Sequence, residues 1–390
     1  MYKIKHFIPF APPLIGREEI NEVVDTLKSG WITTGPKTKE FEARFARYVE
    51  AKYAIAVNSC TAALHLSLNA LGIKERDEVI TSPFTFASTA HTILYQRARP
   101  VFVDIDMQTF NIDYRKIEEK ITSRTKAIIP VHYGGCPCAM DEIMRIAKKH
   151  KLKVGEDAAH AVGAEYKGRK IGSIGDITCF SFYATKNLTT AEGGMVTTNK
   201  KVLTDKIRIM SMYGISDARQ IWKRYSPSGS WHYDIRYLGF KYNMTDIQAS
   251  LGIYQLKKLD RFIKIRESYA RIYDAAFKDC QELIIPSFLK GLRHARHLYP
   301  ILLKTELLKI GRLEFVEKLR RRNIGASVLF QPLHLHTFYK TMFQYKRNDF
   351  PNAEFVYKRI ICIPISPKIT KDKIYYIAEQ IKAIIKKYRR

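Results

Sequence analysis

The 390-residue chain predicts an α/β protein: a mostly parallel sheet sandwiched by helices, plus a smaller C-terminal α/β domain. Three observations carry that expectation. Short apolar, β-branched runs alternate with helical spacings over the first two-thirds of the chain. Residues able to do chemistry stand where those runs end, the place where open α/β sheets keep their sites. From about Ile263 the pattern changes to helix, strand and helix, giving expected bounds of 1–260 for a large domain and 261–390 for a small one.

Taken in order, Glu18 to Lys28 spaces Ile20, Val23, Val24 and Leu27 at helical intervals and stops at Ser29-Gly30, which predicts an amphipathic helix. A Gly-Pro turn follows in WITTGPKT, then a helix from Lys39 to Glu50 and a strand from Tyr53 to Val57. That strand runs through Asn58-Ser59-Cys60-Thr61 into an Ala/Leu-rich helix. The first N–H groups of a helix have no partner in the helix and suit a phosphate, although Ser59 and Thr61 also serve as plain caps. Further strands are expected at Glu78–Thr81, Val101–Asp104, Ala127–Val131, Leu152–Glu156, Ile177–Phe182 and Val196–Thr198. Helices are expected at Tyr114–Lys120, Met140–His150 and Val202–Tyr213. Gly214 to Leu238, with Trp222, Tyr225 and Trp231, reads as a long functional loop. GFKYNMTDIQASLGIYQLKKLD then opens a core or interface helix. The C-terminal part centres on His297–Leu303, Leu313–Arg322 and Ala326–Leu329.

The formal charge is +28, from 66 Lys and Arg against 38 Asp and Glu. It is spread along the chain with no aromatic-interleaved basic motif, so it reads as a solvated surface rather than a nucleic-acid site. Such a field attracts an anionic substrate. Three prolines in MYKIKHFIPFAPPLIG preclude the helical core of a signal peptide, no run approaches membrane-spanning length, and six scattered cysteines suit a reducing compartment; a cytoplasmic location is expected. No metal is expected: His334 and His336 share one face of an extended QPLHLHTFYK segment but have no third ligand. No strand is followed by a P-loop or by G-x-G-x-x-G, which removes the motif of an ATP or nicotinamide enzyme.

The chemistry concentrates between Val154 and Thr198. Lys186 follows a buried-strand pattern in SFYATKNLTT, Asp157 ends another, and the small Ala158 and Ala159 leave room beside them for a flat ligand. An amine, a carboxylate and the hydroxyl of Ser181 are what a pyridoxal 5′-phosphate (PLP) site requires. The ordered string EDAAHA, G-x-x-x-x-G-x-x-x-G, SFYATKN and EGGM closely resembles the DegT/StrS family of PLP-dependent sugar-nucleotide aminotransferases, which have the type I fold of PLP enzymes. The resemblance covers essentially the whole chain.

It implies that Lys186 is the Schiff-base lysine, that Asp157 partners the ring nitrogen, that His160 lies near the ring hydroxyl, and that Ser181, Cys60 and Thr61 bind the phosphate. Phe86 would stack on the ring opposite Ala159. Trp31, Thr33, Thr34 and His334 would border the sugar pocket. Asn243, with Lys241 second, would reach the phosphate site of a partner subunit in a homodimer. The implied reaction is amino transfer from L-glutamate to a nucleotide-linked keto-sugar, first of all a UDP-4-keto sugar aminated at C4, for amino-sugar and cell-surface polysaccharide biosynthesis. Two other readings stand beside it: a sugar dehydratase on the same fold, whose members replace the lysine with histidine, and a non-catalytic regulatory or anionic-polymer-binding protein.

Overall fold

The computed structural model describes residues 6–216, 233–287 and 291–390; Trp222, Tyr225 and Trp231 lie outside the described residues. Its strands in chain order are β1 (Tyr53–Val57), β2 (Glu78–Thr81), β3 (Arg99–Phe102), β4 (Thr125–Ile129), β5 (Lys153–Asp157), β6 (Glu165–Tyr166), β7 (Arg169–Lys170), β8 (Ile177–Ser181), β9 (Gly194–Thr198), β10 (Leu283–Ile284), β11 (Leu292–Arg293), β12 (Tyr299–Leu303) and β13 (Ile360–Ile363). Seven of them form one sheet in the order β1-β9-β8-β5-β4-β2-β3, in which β9 alone runs against the others.

Alternation along each strand builds the two faces. Ala54, Ala56, Phe180 and Met195 enter a core with Phe41, Phe45, Met140 and Ile143 of helices Pro36–Tyr48 and Met140–Lys149. Their neighbours Ile55, Val57, Cys179 and Val196 enter another with Ala63, Leu66, Ile207 and Met210 of helices Cys60–Ala70 and Lys201–Met210. The sheet is thus covered on both sides, and each fully buried Phe or Ile adds roughly 1.5–3 kcal/mol.

A 32-residue helix, Asp246–Phe277, links the two halves of the chain. Thr245 caps it and shares a capping box with Gln248. Ala249, Ile253 and Leu256 face the large sheet's core, while Tyr269, Tyr273 and Phe277 join a second core around β12, β13 and helix Lys371–Tyr388. β10, β12 and β13 form a three-stranded antiparallel sheet there. A third cluster, including Phe84, Phe102 and Tyr133 on one side and Leu298, Leu333 and Tyr339 on the other, holds the C-terminal part against the C-terminal ends of the large sheet's strands. Among the described residues no helix is long and apolar enough to cross a membrane.

Several local expectations change. Helix Arg17–Lys28 is turned inside out: Ile20, Val24 and Leu27 are exposed, whereas Glu19 and Thr26 are buried. Glu19 is accommodated because Lys258 and Gln255 of the long helix and the Gly16 N–H all hydrogen-bond its carboxylate. Tyr114–Lys120 is two 3-10 turns, Tyr114–Lys116 and Glu118–Lys120, rather than one helix. In the Ala326–Leu329 stretch Ser327 forms an isolated bridge to Cys362.

Candidate active site

A cavity of about 530 Å³ opens at the C-terminal ends of the parallel strands. After β1 the chain turns into helix Cys60–Ala70, presenting Ser59, Cys60 and Thr61. Ser59 is the helix cap, its Oγ accepting from Ala62 N at 3.1 Å, which leaves the leading N–H groups for a ligand. The turn lies close to β9 because Gly194 has no side chain: a Cβ there would stand 2.5 Å from the Ser59 carbonyl and 2.7 Å from Cys60 N. The segment after β2 contributes Phe86, 63% exposed, and the end of β5 contributes Asp157, Ala159 and His160. Ser181 and Lys186 come from β8 and the turn after it.

All eight residues that the sequence assigns to a cofactor within one subunit therefore line one cavity: Lys186, Asp157, His160, Ser181, Cys60, Thr61, Phe86 and Ala159. Burial pushes the Lys186 ammonium down to about 8, against the opposing pull of Asp157 and Cys60. Burial likewise raises the Asp157 carboxyl, opposed by Thr89 Oγ1 at 2.7 Å and Ala159 N at 3.1 Å, both donating, and by the charge of Lys186. His160 accepts from Gly134 N at Nδ1, 3.2 Å, so its ring proton sits on Nε2; burial and Lys186 hold it neutral. An amine, a buried anion in need of a positive partner, a helix N-terminus with a nearby hydroxyl, and a cavity wall that includes the small Ala159 and the aromatic Phe86 are a donor set that fits PLP.

The remaining expected residues sit elsewhere. Asn243 bridges to Val57, donates to Thr34 Oγ1 at 2.6 Å, and lines a second depression with Thr34, Arg208 and Arg236. Trp31 and Thr33 are exposed beside it. Asp246 organises that surface: its buried carboxylate accepts from Gly35 N, Lys37 N, Thr38 N and Thr38 Oγ1 at 2.6–3.0 Å, capping helix Pro36–Tyr48 from another element. Within one subunit none of Trp31, Thr33, Thr34 or Asn243 lines the Lys186 cavity. His334 corrects the expectation of a sugar-facing residue. It is fully buried, with Nε2 3.1 Å from Glu354 Oε1 and its ring 4.8 Å from that of Phe350. The aromatic that segment does offer the cavity is Phe330, stacked at 9° over His160. Phe330, Phe10 and His297 reach the site from distant parts of the chain, and no local motif marks them. Among the described residues no group of three His, Cys, Asp or Glu is placed to hold a metal.

The sequence model of the DegT/DnrJ/EryC1/StrS aminotransferase family matches residues 13–382. The chain is 51% identical over 385 residues to the spore coat polysaccharide biosynthesis protein SpsC of Bacillus subtilis, covering 98% of each. Its fold is similar to that of the putative sugar aminotransferase Spr1654 of Streptococcus pneumoniae in its PMP-form (TM-score 0.91, 36% identity, 97% of this chain and 99% of that one). The PLP-form of the same protein also gives a TM-score of 0.91, with 35% identity over 98% of this chain and 99% of the other. PseC of Helicobacter pylori, an aminotransferase involved in the biosynthesis of pseudoaminic acid, gives a TM-score of 0.90 at 30% identity over 98% of this chain and 100% of its own.

Proposed function

The chain belongs to the DegT/DnrJ/EryC1/StrS aminotransferase family, and from that premise we propose that it moves an amino group from L-glutamate to a 4-keto sugar carried on UDP, toward an amino-sugar polysaccharide. Its cofactor is pyridoxal 5′-phosphate. The observation that carries the reading is the convergence of Lys186 and Asp157 on one cavity beside a helix N-terminus. A sugar acceptor is supported by SpsC, named for spore-coat polysaccharide, and by PseC, named for pseudoaminic acid. UDP and C4 rest on the likeness of GFKYNMTDI and PLHLHTFYK to family members acting at C4.

Bound PLP supplies an electrophilic carbonyl and a ring that accepts an electron pair. Lys186 would hold it covalently, Asp157 would pair with its ring nitrogen, and Ser181 with the first N–H groups of helix Cys60–Ala70 would hold its phosphate. With its ammonium brought down to about 8, Lys186 Nζ carries an appreciable unprotonated fraction near neutrality. Once displaced by the donor amine, it would take the proton from the donor's Cα and later return one to the sugar carbon. A cationic ring N–H held beside Asp157 would favour its ionised form. Phe330 and Leu329 form part of the cavity's apolar wall.

A homodimer belongs to the same proposal. Ile20, Val24, Leu27, Trp31 and Ile32 are all exposed, more apolar surface than a free helix and turn ordinarily leave to water, and Asn243 stands beside them rather than in its own subunit's cavity. The test is direct: yellow protein should bleach with glutamate and regain colour with a nucleotide keto-sugar. Screening UDP-, dTDP-, GDP- and CDP-linked 3- and 4-keto sugars assigns the substrate. Protein that no amino donor bleaches would overturn the amino-transfer reading.

A further inference from the structure

His297 enters the cavity from the turn before β12. Its ring centroid is 4.4 Å from that of His160, and its Nδ1 lies 3.3 Å from Asn187 Oδ1. The orientation of that amide is fixed, because Asn187 Nδ2 donates to Ala295 O at 2.7 Å. The amide oxygen therefore faces His297, and only an Nδ1–H can meet it. A neutral His297 then carries its proton on Nδ1 and a lone pair on Nε2, an atom with no hydrogen-bond partner among the described residues and not sealed from the cavity.

On His160 the assignment is reversed, with the proton on Nε2. Two adjacent imidazoles thus offer the cavity one donor and one acceptor. Burial opposes protonation of His297, and so would positive charge on the neighbouring His160, Lys186, Arg266 or His294. Behind the ring, the buried Arg266 guanidinium donates to the carbonyls of Ile365 at 3.2 Å, Arg296 at 3.4 Å and His297 at 3.5 Å, tying the backbone in place.

We infer that His297 Nε2 is a fixed hydrogen-bond acceptor for a primary amine in this cavity, that of Lys186 or that of the amino donor which displaces it, and so a positioning residue for amino transfer. The inference rests on the proposed reaction only for the identity of the donor. A neutral acceptor orients an amine without removing the positive charge that a cationic residue would repel. It also gives Asn187, next in sequence to the lysine, a defined task.

The test compares His297→Phe, which keeps a ring but no acceptor, with His297→Gln, which restores an acceptor, both as holoenzyme. Equilibrium PLP binding should stay within about threefold of native in both, while the glutamate concentration for half-bleaching rises about tenfold in Phe and returns most of the way in Gln, as for one lost hydrogen bond to a charged group. That outcome assigns the donor's amine. If half-bleaching is unchanged but the pH midpoint of the colour change without donor moves in Phe and returns in Gln, the amine is that of Lys186. If neither measurement separates Phe from Gln, or PLP binding collapses in both, the inference is overturned. Nitrogen-15 spectra of the native holoenzyme serve should the variants not fold: a lone pair on His297 Nδ1 also overturns it. Native protein that no donor bleaches counts against the proposed reaction and leaves the pH measurement intact.

Discussion

Thr89 Oγ1 lies 2.7 Å from Asp157 Oδ2, and Thr85 Oγ1 lies 2.8 Å behind it. A carboxylate only accepts, so the Thr89 proton points at Asp157 and the Thr85 proton at Thr89. Two hydroxyls in series thus favour the ionised carboxyl against a burial that disfavours it. Thr89→Val removes the donor at constant shape and should raise the Asp157 carboxyl further. PLP binding should weaken about fivefold to tenfold, and the acid limb of the activity profile should move to higher pH, with Thr89→Ser restoring both. Equilibrium dialysis and a pH profile check this.

Asp157→Asn keeps the size and the bond from Thr89 but removes the charge that would meet the ring nitrogen. Turnover should fall by about a hundredfold or more with little change in KM, as when an interaction made in the transition state is lost. An unchanged kcat would exclude that role.

Lys186→Ala should abolish turnover and leave PLP bound without a covalent link, so that borohydride fixes the cofactor to native protein alone and at Lys186. A second consequence concerns the protein without cofactor. The lysine is held at about 8 against 10.5 when free, so its protonated form opposes folding by at most roughly 3 kcal/mol. That opposition is complete below pH 8 and fades as pH rises from 8 to 10.5. The apo Lys186→Met variant should therefore melt above the native apoprotein at pH 7, with the difference gone near pH 10.5; calorimetry across that range decides it.

Asp246→Ala leaves the N–H groups of Gly35, Lys37 and Thr38 without their acceptor. The expected cost is about 2–3 kcal/mol, more than one ordinary helix cap, because a single carboxylate serves three backbone donors and a hydroxyl. Urea unfolding measures it. Trp31 to Thr34 are tied to Asp246 twice, Thr33 O accepting from its backbone N–H and Gly35 N donating to its carboxylate; with the second tie lost, sugar-dependent turnover should fall before PLP binding does.

Subunits carrying Lys186→Ala and subunits carrying Asn243→Ala, each inactive alone, should recover up to about a quarter of native activity when unfolded, mixed and refolded, since a two-fold heterodimer gathers both lesions in one site and neither in the other. Tagged heterodimers without recovered activity would place the action of Asn243 within its own subunit.

The sheet was legible because each strand is a short apolar run between turns, and the cofactor side of the cavity because its residues follow strands in an ordered local motif. The parts that escaped depend on tertiary context. Ile20, Val24 and Leu27 carry a helix's apolar spacing, yet spacing alone does not say which face meets the protein; Lys258 and Gln255, more than two hundred residues away, decide it by receiving Glu19. The family resemblance puts His334 at the sugar pocket, but Glu354 and Phe350 enclose it. β13 lies in RIICIPI, a short continuous apolar run whose pattern alone does not separate a strand from a buried helix. His297 and Phe330 have no signature because they face the cofactor side only once the C-terminal sheet is docked.

The helix Asp246–Phe277 has a consequence for recombination among relatives. Residue 260, where composition first suggests a boundary, falls in mid-helix, and Leu259 and Ile263 are packed on the large sheet's core. A chimera joined at 260 would ask two parental sequences to share one continuous helix and one packed seam. A junction beyond Phe277, in the Lys278 to Glu282 turn, keeps that helix whole with the sheet it covers. Exchanged C-terminal segments should then yield folded protein from the later junction and aggregates from the earlier one.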